Sequence, residues 1–295
     1  MGERADERVS IAEVSSLLGI PVPTIRSWER RYAFPSPART GGRHRRYSVA
    51  EIDALRAMRD EMIRGHRAGE AVAIARAALT MTPARSDALE GFARGADELD
   101  GEVIRRSLDE ATEVLGVERT IVDVAFPGLR EIGERWKAGR CDVSNEHLAT
   151  HVVRPWLARV TTFAPPPYRA HPIVLACAPT ELHTMGLEAF AVVLARRGWA
   201  CRFLGSTTPV DSVVLAVRSA RAAGAVVTAH RSVARRGAVE ALRAVSDIPG
   251  VGAFYGGNAF ATERSRTDVP GTYLGADLLH AADVITATLE RSASS

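Results

Sequence analysis

Cysteine is scarce in this chain of 295 residues, and lysine is scarcer. The three cysteines, Cys141, Cys177 and Cys201, are odd in number and far apart, with no Cys-x-x-Cys. Neither a disulfide framework nor a thiolate zinc site can therefore organise the fold. Lys137 is the only lysine, so arginine carries nearly all of the positive charge. Long apolar runs are missing too: none approaches the roughly 20 residues that span a bilayer. Met1-Gly2-Glu3-Arg4 opens a polar segment with no signal-peptide core. Together these absences predict a cytoplasmic protein with no membrane partner. The net charge of +3 is small, and no single sign dominates the whole. The length allows about one to three domains.

The chain does concentrate charge in one place. Between Pro21 and Ala50 stand seven arginines, Arg26, Arg30, Arg31, Arg39, Arg43, Arg45 and Arg46, against one acid, Glu29. A basic block of this kind predicts a nucleic-acid-binding end. Around it, Ser10 can cap a short helix with Val14, Leu17 and Leu18 on one face. Gly19-Ile20-Pro21 ends that helix, and Thr24 can cap a second one carrying Ile25 and Trp28. Two short helices about a glycine turn make the outline of a helix-turn-helix. Tyr32 to Ser48 fits a β-hairpin wing with its tip at Thr40 to Arg43, and Ser48 caps a helix from Val49 to Arg64.

The stretches Ile25-Arg26-Ser27-Trp28-Glu29-Arg30-Arg31-Tyr32 and Gly41-Gly42-Arg43-His44-Arg45-Arg46-Tyr47-Ser48 resemble the MerR type of winged helix-turn-helix. The resemblance implies a double-stranded DNA operator as partner. It offers Thr24, Arg26, Trp28, Arg30, Arg31, Arg43, His44, Arg45, Arg46 and Tyr47 as the DNA-binding set. Members of that type usually dimerise through a long coiled-coil helix. Here Gly65, Gly69 and Pro83 interrupt the pattern, so no such helix is expected and assembly must be made elsewhere.

Residues 86–163 are helical in pattern: Ala88 to Asp97, Asp100 to Val114, Glu118 to Ala138, and Cys141 to Val160. Four helices of this length suit an antiparallel bundle. Pro165-Pro166-Pro167 makes a stiff linker. Beyond it, strand and helix periods alternate to the end, which predicts a flavodoxin-like (Rossmann-type) parallel sheet. The expected division is a winged helix-turn-helix head (1–82), a four-helix bundle (83–163) and an α/β domain (164–295), a multidomain α and α/β protein.

The α/β part carries Glu181-Leu182-His183-Thr184-Met185-Gly186 after an apolar strand and before a helix, where ligands bind in open α/β sheets. A carboxylate two residues before an imidazole can hold one ring nitrogen and free the other for a metal. Thr228, and then Gly256 with Gly257, end the next apolar runs. This order resembles the cobalamin-binding domain, whose pattern is Asp-x-His-x-x-Gly, Ser-x-Leu and Gly-Gly, with Glu181 and Thr228 keeping the carboxylate and the hydroxyl. The resemblance implies that His183 is the lower cobalt ligand. It also implies that the displaced nucleotide tail of the cofactor passes Gly186, Thr228, Gly256 and Gly257.

Trp136, followed ten residues later by Glu146-His147, resembles the helical cap of the light-sensing regulators of carotenoid synthesis, the CarH and LitR types. That likeness implies Trp136 as the adenosyl-facing wall, Glu146 as an acceptor for the ribose and His147 as an upper-face contact. Lys137 stands where the best-studied pattern has a histidine able to bind cobalt after illumination. The whole implies a non-enzymatic, light-responsive repressor. It would use adenosylcobalamin (cobalt) as chromophore, within a homo-oligomer, dimer or tetramer, that changes on photolysis. The alternative is a light-independent regulator sensing cobalamin or another small ligand. A methyltransferase or mutase would need a substrate barrel, and no segment of the chain reads as one.

Overall fold

Ser10 caps the first helix as its sequence suggests, with its hydroxyl accepting from the Glu13 N–H and the Glu13 carboxylate accepting from the Ser10 N–H. This is a capping box. The computed structural model describes residues 9–39 and 45–293. It divides into two compact units, one of residues up to Gly91 with Ser107–Leu115, the other of Phe92–Arg106 with Gly116 onward.

In the first unit, β1 (Val9–Ser10) leads into α1 (Ile11–Leu18) and α2 (Val22–Tyr32), with Gly19 left-handed at φ 65° between the helices. Thr24 is not the cap: α2 begins at Val22 behind Pro21, so Thr24 lies in the first turn. Pro23 explains this, because a ring with no N–H is at home at the start of a helix. β2 (Ala38–Arg39) and β3 (Arg45–Tyr47) pair antiparallel as the wing, and β1 joins the other edge of β3. Arg43 and His44, with the wing tip, lie outside the described residues. α3 (Val49–Ile63) is capped by Ser48 and Glu51. One core holds Val14, Leu18, Ile25, Trp28, Tyr47, Leu55 and Met58.

The largest departure follows. α4 (Ala68–Asp97) is a 30-residue helix that runs through Gly69 and Pro83, where a break was expected. A proline inside a helix removes one hydrogen bond. Alanine, the best helix former, stands on either side of that loss, at Ala71, Ala73, Ala75, Ala77 and Ala78 before it and at Ala84 and Ala88 after it. Ala88 to Asp97 is thus the end of a long helix rather than a separate one. α5 (Gly101–Leu115) follows.

The segment read as one helix from Glu118 to Ala138 is three: α6 (Val117–Thr120), a π-helical stretch (Ile121–Ala125) and α7 (Phe126–Lys137). Pro127 has no N–H for the Asp123 carbonyl, and the Phe126 N–H reaches Ile121, five residues back. α8 (Val143–Thr162) completes the helical part. Within the second unit the ends of these helices interlock. A Cβ on Gly128 of α7 would come 2.7 Å from Phe92 of α4. The Asn145 amide of α8 donates to the Ala96 carbonyl at 2.8 Å.

The rest of that unit is a doubly wound sheet. β4 (Ile173–Cys177), α9 (Met185–Arg196), β5 (Cys201–Gly205), α10 (Val210–Ala220), β6 (Gly224–Thr228), α11 (Arg235–Ser246), β7 (Gly252–Gly256), α12 (Glu263–Arg266), β8 (Thr272–Tyr273) and α13 (Leu278–Ala293) follow in order. All strand pairs are parallel, in the order β5-β4-β6-β7-β8. That is the flavodoxin-like order, with its switch point between β4 and β6. β4 is buried along its whole length, as a central parallel strand should be. Register places Cys177, Thr228 and Gly256 in one row across the strand ends.

Candidate cofactor site at the switch point

Glu181 is the centre of the site and has no exposed surface. Its Oε1 accepts from the His183 N–H at 3.0 Å and lies 2.5 Å from His183 Nδ1. Its Oε2 accepts from the N–H groups of His230 at 2.6 Å and Arg231 at 2.9 Å. Burial alone would raise this carboxyl, but the backbone donors of His183 and Arg231, the His183 ring and the His230 N–H prevail and hold it at about 2. An ionised carboxylate can only accept, so His183 Nδ1 carries a proton, and in the neutral imidazole the lone pair is then on Nε2. The His183 side chain is 65% exposed, so that lone pair is available.

The loops around it are tied to this pair. The Thr207 N–H donates to the Glu181 carbonyl at 2.9 Å, and the Thr208 N–H to the Cys177 carbonyl at 3.1 Å. Thr228 Oγ1 lies 3.5 Å from Cys177 Sγ, whose thiol is pushed up by burial. From the helical side, Arg154 of α8 reaches Thr184 Oγ1 and the Glu188 carboxylate, each at 3.4 Å. His147 and His151 lie two turns and one turn before Arg154, on the same exposed face of α8.

Beside the loop lies a cavity of about 960 Å³, lined by Gly186, Leu187 and Phe190 of α9, by Thr228 and His230, and by Gly256 and Gly257. Val122 and Asp123 of the π-helical stretch and Phe126 of α7 close its helical side. Two of the glycines leave real room. A Cβ on Gly186 would meet only His230 Nε2, at 4.0 Å, and one on Gly256 only the Gly275 carbonyl, at 3.8 Å. Gly257 is different: at φ 102°, a Cβ would fall 2.3 Å from the Ala229 carbonyl oxygen. Its lack of a side chain serves the backbone first.

The structure thus brings Gly186, Thr228, Gly256 and Gly257 together, with Glu181 and His183 at the adjoining loop. Trp136, 46% exposed, lies in the last turn of α7, and Glu146 and His147 lie in the first turns of α8; none of the three lines the cavity. The sequence reading missed His230. Its ring stands 6.0 Å from that of His183, edge to face, and burial lowers its pKa. The signal available was position alone, two residues past Thr228 at a strand end. Arg154 was also missed, and only the packing of α8 on α9 identifies it.

In the first unit, Arg26, Arg30 and Arg31 are exposed along α2, and Thr24 and Arg46 are partly so. Trp28 and Tyr47, expected among the DNA contacts, lie in the core of this unit. Trp28 is 7% exposed and Tyr47 fully buried, its hydroxyl donating to Glu29. Arg45 Nε also pairs with Glu29, at 2.6 Å. These three groups fasten β3 to α2.

Residues 9–75 match the family model described as MerR HTH family regulatory protein, and residues 88–161 match the one described as B12 binding domain. The chain is similar to the HTH-type transcriptional repressor CarA of Myxococcus xanthus, 33% identical over 69% of this chain and 70% of that protein. It is 31% identical to the repressor CarH of the same organism, over 75% of this chain and 77% of that one. Among solved structures, the monomethylamine corrinoid protein of Methanosarcina barkeri superposes with a TM-score of 0.55 at 14% identity, over 69% of this chain and 99% of that one. That last likeness concerns the fold alone.

Proposed function

The chain belongs to the family of MerR-type transcriptional repressors that carry a B12-binding domain, the CarA and CarH repressors among them, and on that premise we propose that it is a light-responsive repressor with adenosylcobalamin as chromophore. The observation that carries the cofactor half of this reading is the Glu181–His183 pair beside a glycine-lined cavity. One imidazole with a free Nε2 suits a metal that arrives already held by a macrocycle. The open spaces at Gly186 and Gly256 suit a long tail passing close to the backbone. The donor chemistry and the cradle therefore fit a corrinoid.

Each part of the chain then has a task. Glu181 fixes the His183 tautomer and, by holding His230 and Arg231, keeps the two loops of the switch point together. His183 Nε2 is the proposed lower cobalt ligand. Thr228, Gly256 and Gly257 border the space for the nucleotide tail. Trp136, Glu146 and His147 are proposed to cover the upper face, with α8 joined to the His183 loop through Arg154. Adenosylcobalamin, when bound, supplies a cobalt–carbon bond that visible light cleaves. The protein supplies the pocket and an assembly with two states. Arg26, Arg30, Arg31 and Arg46 are the described groups proposed to face a double-stranded operator, with Thr24, Arg43 and His44 completing the set.

Size-exclusion chromatography with light scattering, on the full chain with adenosylcobalamin, tests the reading. A larger oligomer in the dark that disperses under green light is the expected result. With His183→Ala, cofactor binding should weaken and its histidine-ligated spectrum should be lost. An assembly that takes up the cofactor and ignores light would instead favour the chemical-sensor alternative, which Lys137 makes concrete.

A further inference from the structure

We propose that His230 is a specificity-determining contact for the nucleotide tail of the corrinoid, so that the site selects complete cobalamins over tail-less corrinoids. The proposal rests on the cobalamin reading above and deepens it. Three observations place His230. Its ring lines the cavity together with Thr228, Gly186 and Gly256. That ring is 6.0 Å from the His183 ring, so it stands beside the proposed cobalt ligand at the cavity wall. Its Nε2 faces the space over Gly186, where a Cβ would sit 4.0 Å away.

A nucleotide tail held in this cavity would have His230 and Gly186 among its wall residues. The tail of a complete cobalamin is a phosphodiester joined to a ribose and a base, rich in oxygen acceptors at its near end. An imidazole can donate a hydrogen bond from a ring nitrogen in either protonation state. A leucine, which the family pattern carries at this place, cannot. The His230 backbone is already engaged by Glu181 through its N–H, so the side chain is free of any role in that clamp. A half-buried imidazole that lines a cavity and makes no hydrogen bond from its ring among the described residues has the chemistry of a ligand contact, and removing such a donor costs the complex affinity.

The test measures affinity in the dark for adenosylcobalamin and for adenosylcobinamide, which keeps the corrin and the adenosyl group but has no nucleotide. His230→Leu should weaken adenosylcobalamin binding about tenfold and leave adenosylcobinamide binding unchanged. His230→Gln, which restores an N–H donor, should recover most of the loss. Thermal melting of the cofactor-free variants should match the parent chain, because the Glu181 clamp uses only the backbone of His230. Equal weakening for both corrinoids, or none for either, would remove His230 from this role while leaving the cobalamin reading intact. A parent chain that binds neither corrinoid would overturn the reading itself, and the proposal with it.

Discussion

Glu181 uses the full acceptor capacity of a carboxylate inside the protein. Four donors surround its two oxygens, two from His183 and one each from His230 and Arg231. Such a group is both orienter and staple. The pairing with His183 was legible because a spacing of two residues in a loop brings a carboxylate and an imidazole together. The pairing with His230 and Arg231 was not, because nearly fifty residues separate them and only the parallel register of β4 and β6 makes them neighbours. The glycines divide in the same way. Sequence presents Gly186, Gly256 and Gly257 as equals, whereas the backbone gives them different tasks. Gly186→Ala should leave folding of the cofactor-free protein unchanged, since its methyl meets only His230 at van der Waals distance, and should weaken cobalamin binding. Gly257→Ala should instead destabilise the fold by about 1–3 kcal/mol or more, through a disallowed φ and a clash with Ala229. Melting curves and cofactor titrations of the two variants distinguish these outcomes, and equal behaviour would refute the division.

At the scale of elements, α2 has two faces with opposite duties. Ile25 and Trp28 lie in the core, while Arg26, Arg30 and Arg31 face outward. Trp28→Ala should cost roughly 3–5 kcal/mol of stability, as large core truncations do, and lose DNA binding by unfolding the head. Arg30→Ala should leave the melting temperature within a degree or so and reduce operator affinity, with a shallower dependence on salt because fewer counterions are released. An unchanged salt slope would mean that Arg30 does not touch phosphate. Tyr47 shows why its exposure could not be read from the chain. Its neighbours in sequence are arginines, yet β3 lies between β1 and β2, and the strand alternation that leaves Arg46 partly exposed turns Tyr47 inward onto Glu29. The length of α4 was hidden for a related reason. Local rules weigh Pro83 as a stop, but a single lost hydrogen bond is small beside a long alanine-rich run.

For the whole molecule, the proposed output is a change in how many heads act together. Linked heads bind more tightly because later contacts are intramolecular, so dispersal releases an operator without altering any base contact. The dark, cofactor-loaded protein should therefore bind a complete operator about 100-fold or more tightly than the illuminated protein, while both bind an isolated half-site equally. Light-dependent half-site affinity would place the switch inside the head instead. The sequence alone determined the element types, the parallel α/β class, the basic helix-turn-helix and the Glu181–His183 pair. These depend on period, on composition and on residues a few positions apart. Only the tertiary structure decided that Cys177, Thr228 and Gly256 stand in one row, that His230 comes beside Gly186 at the cavity wall, and that Arg154 holds α8 to the His183 loop. Strand order and helix packing create those neighbours. They arise from the burial of whole faces, which no local spacing encodes.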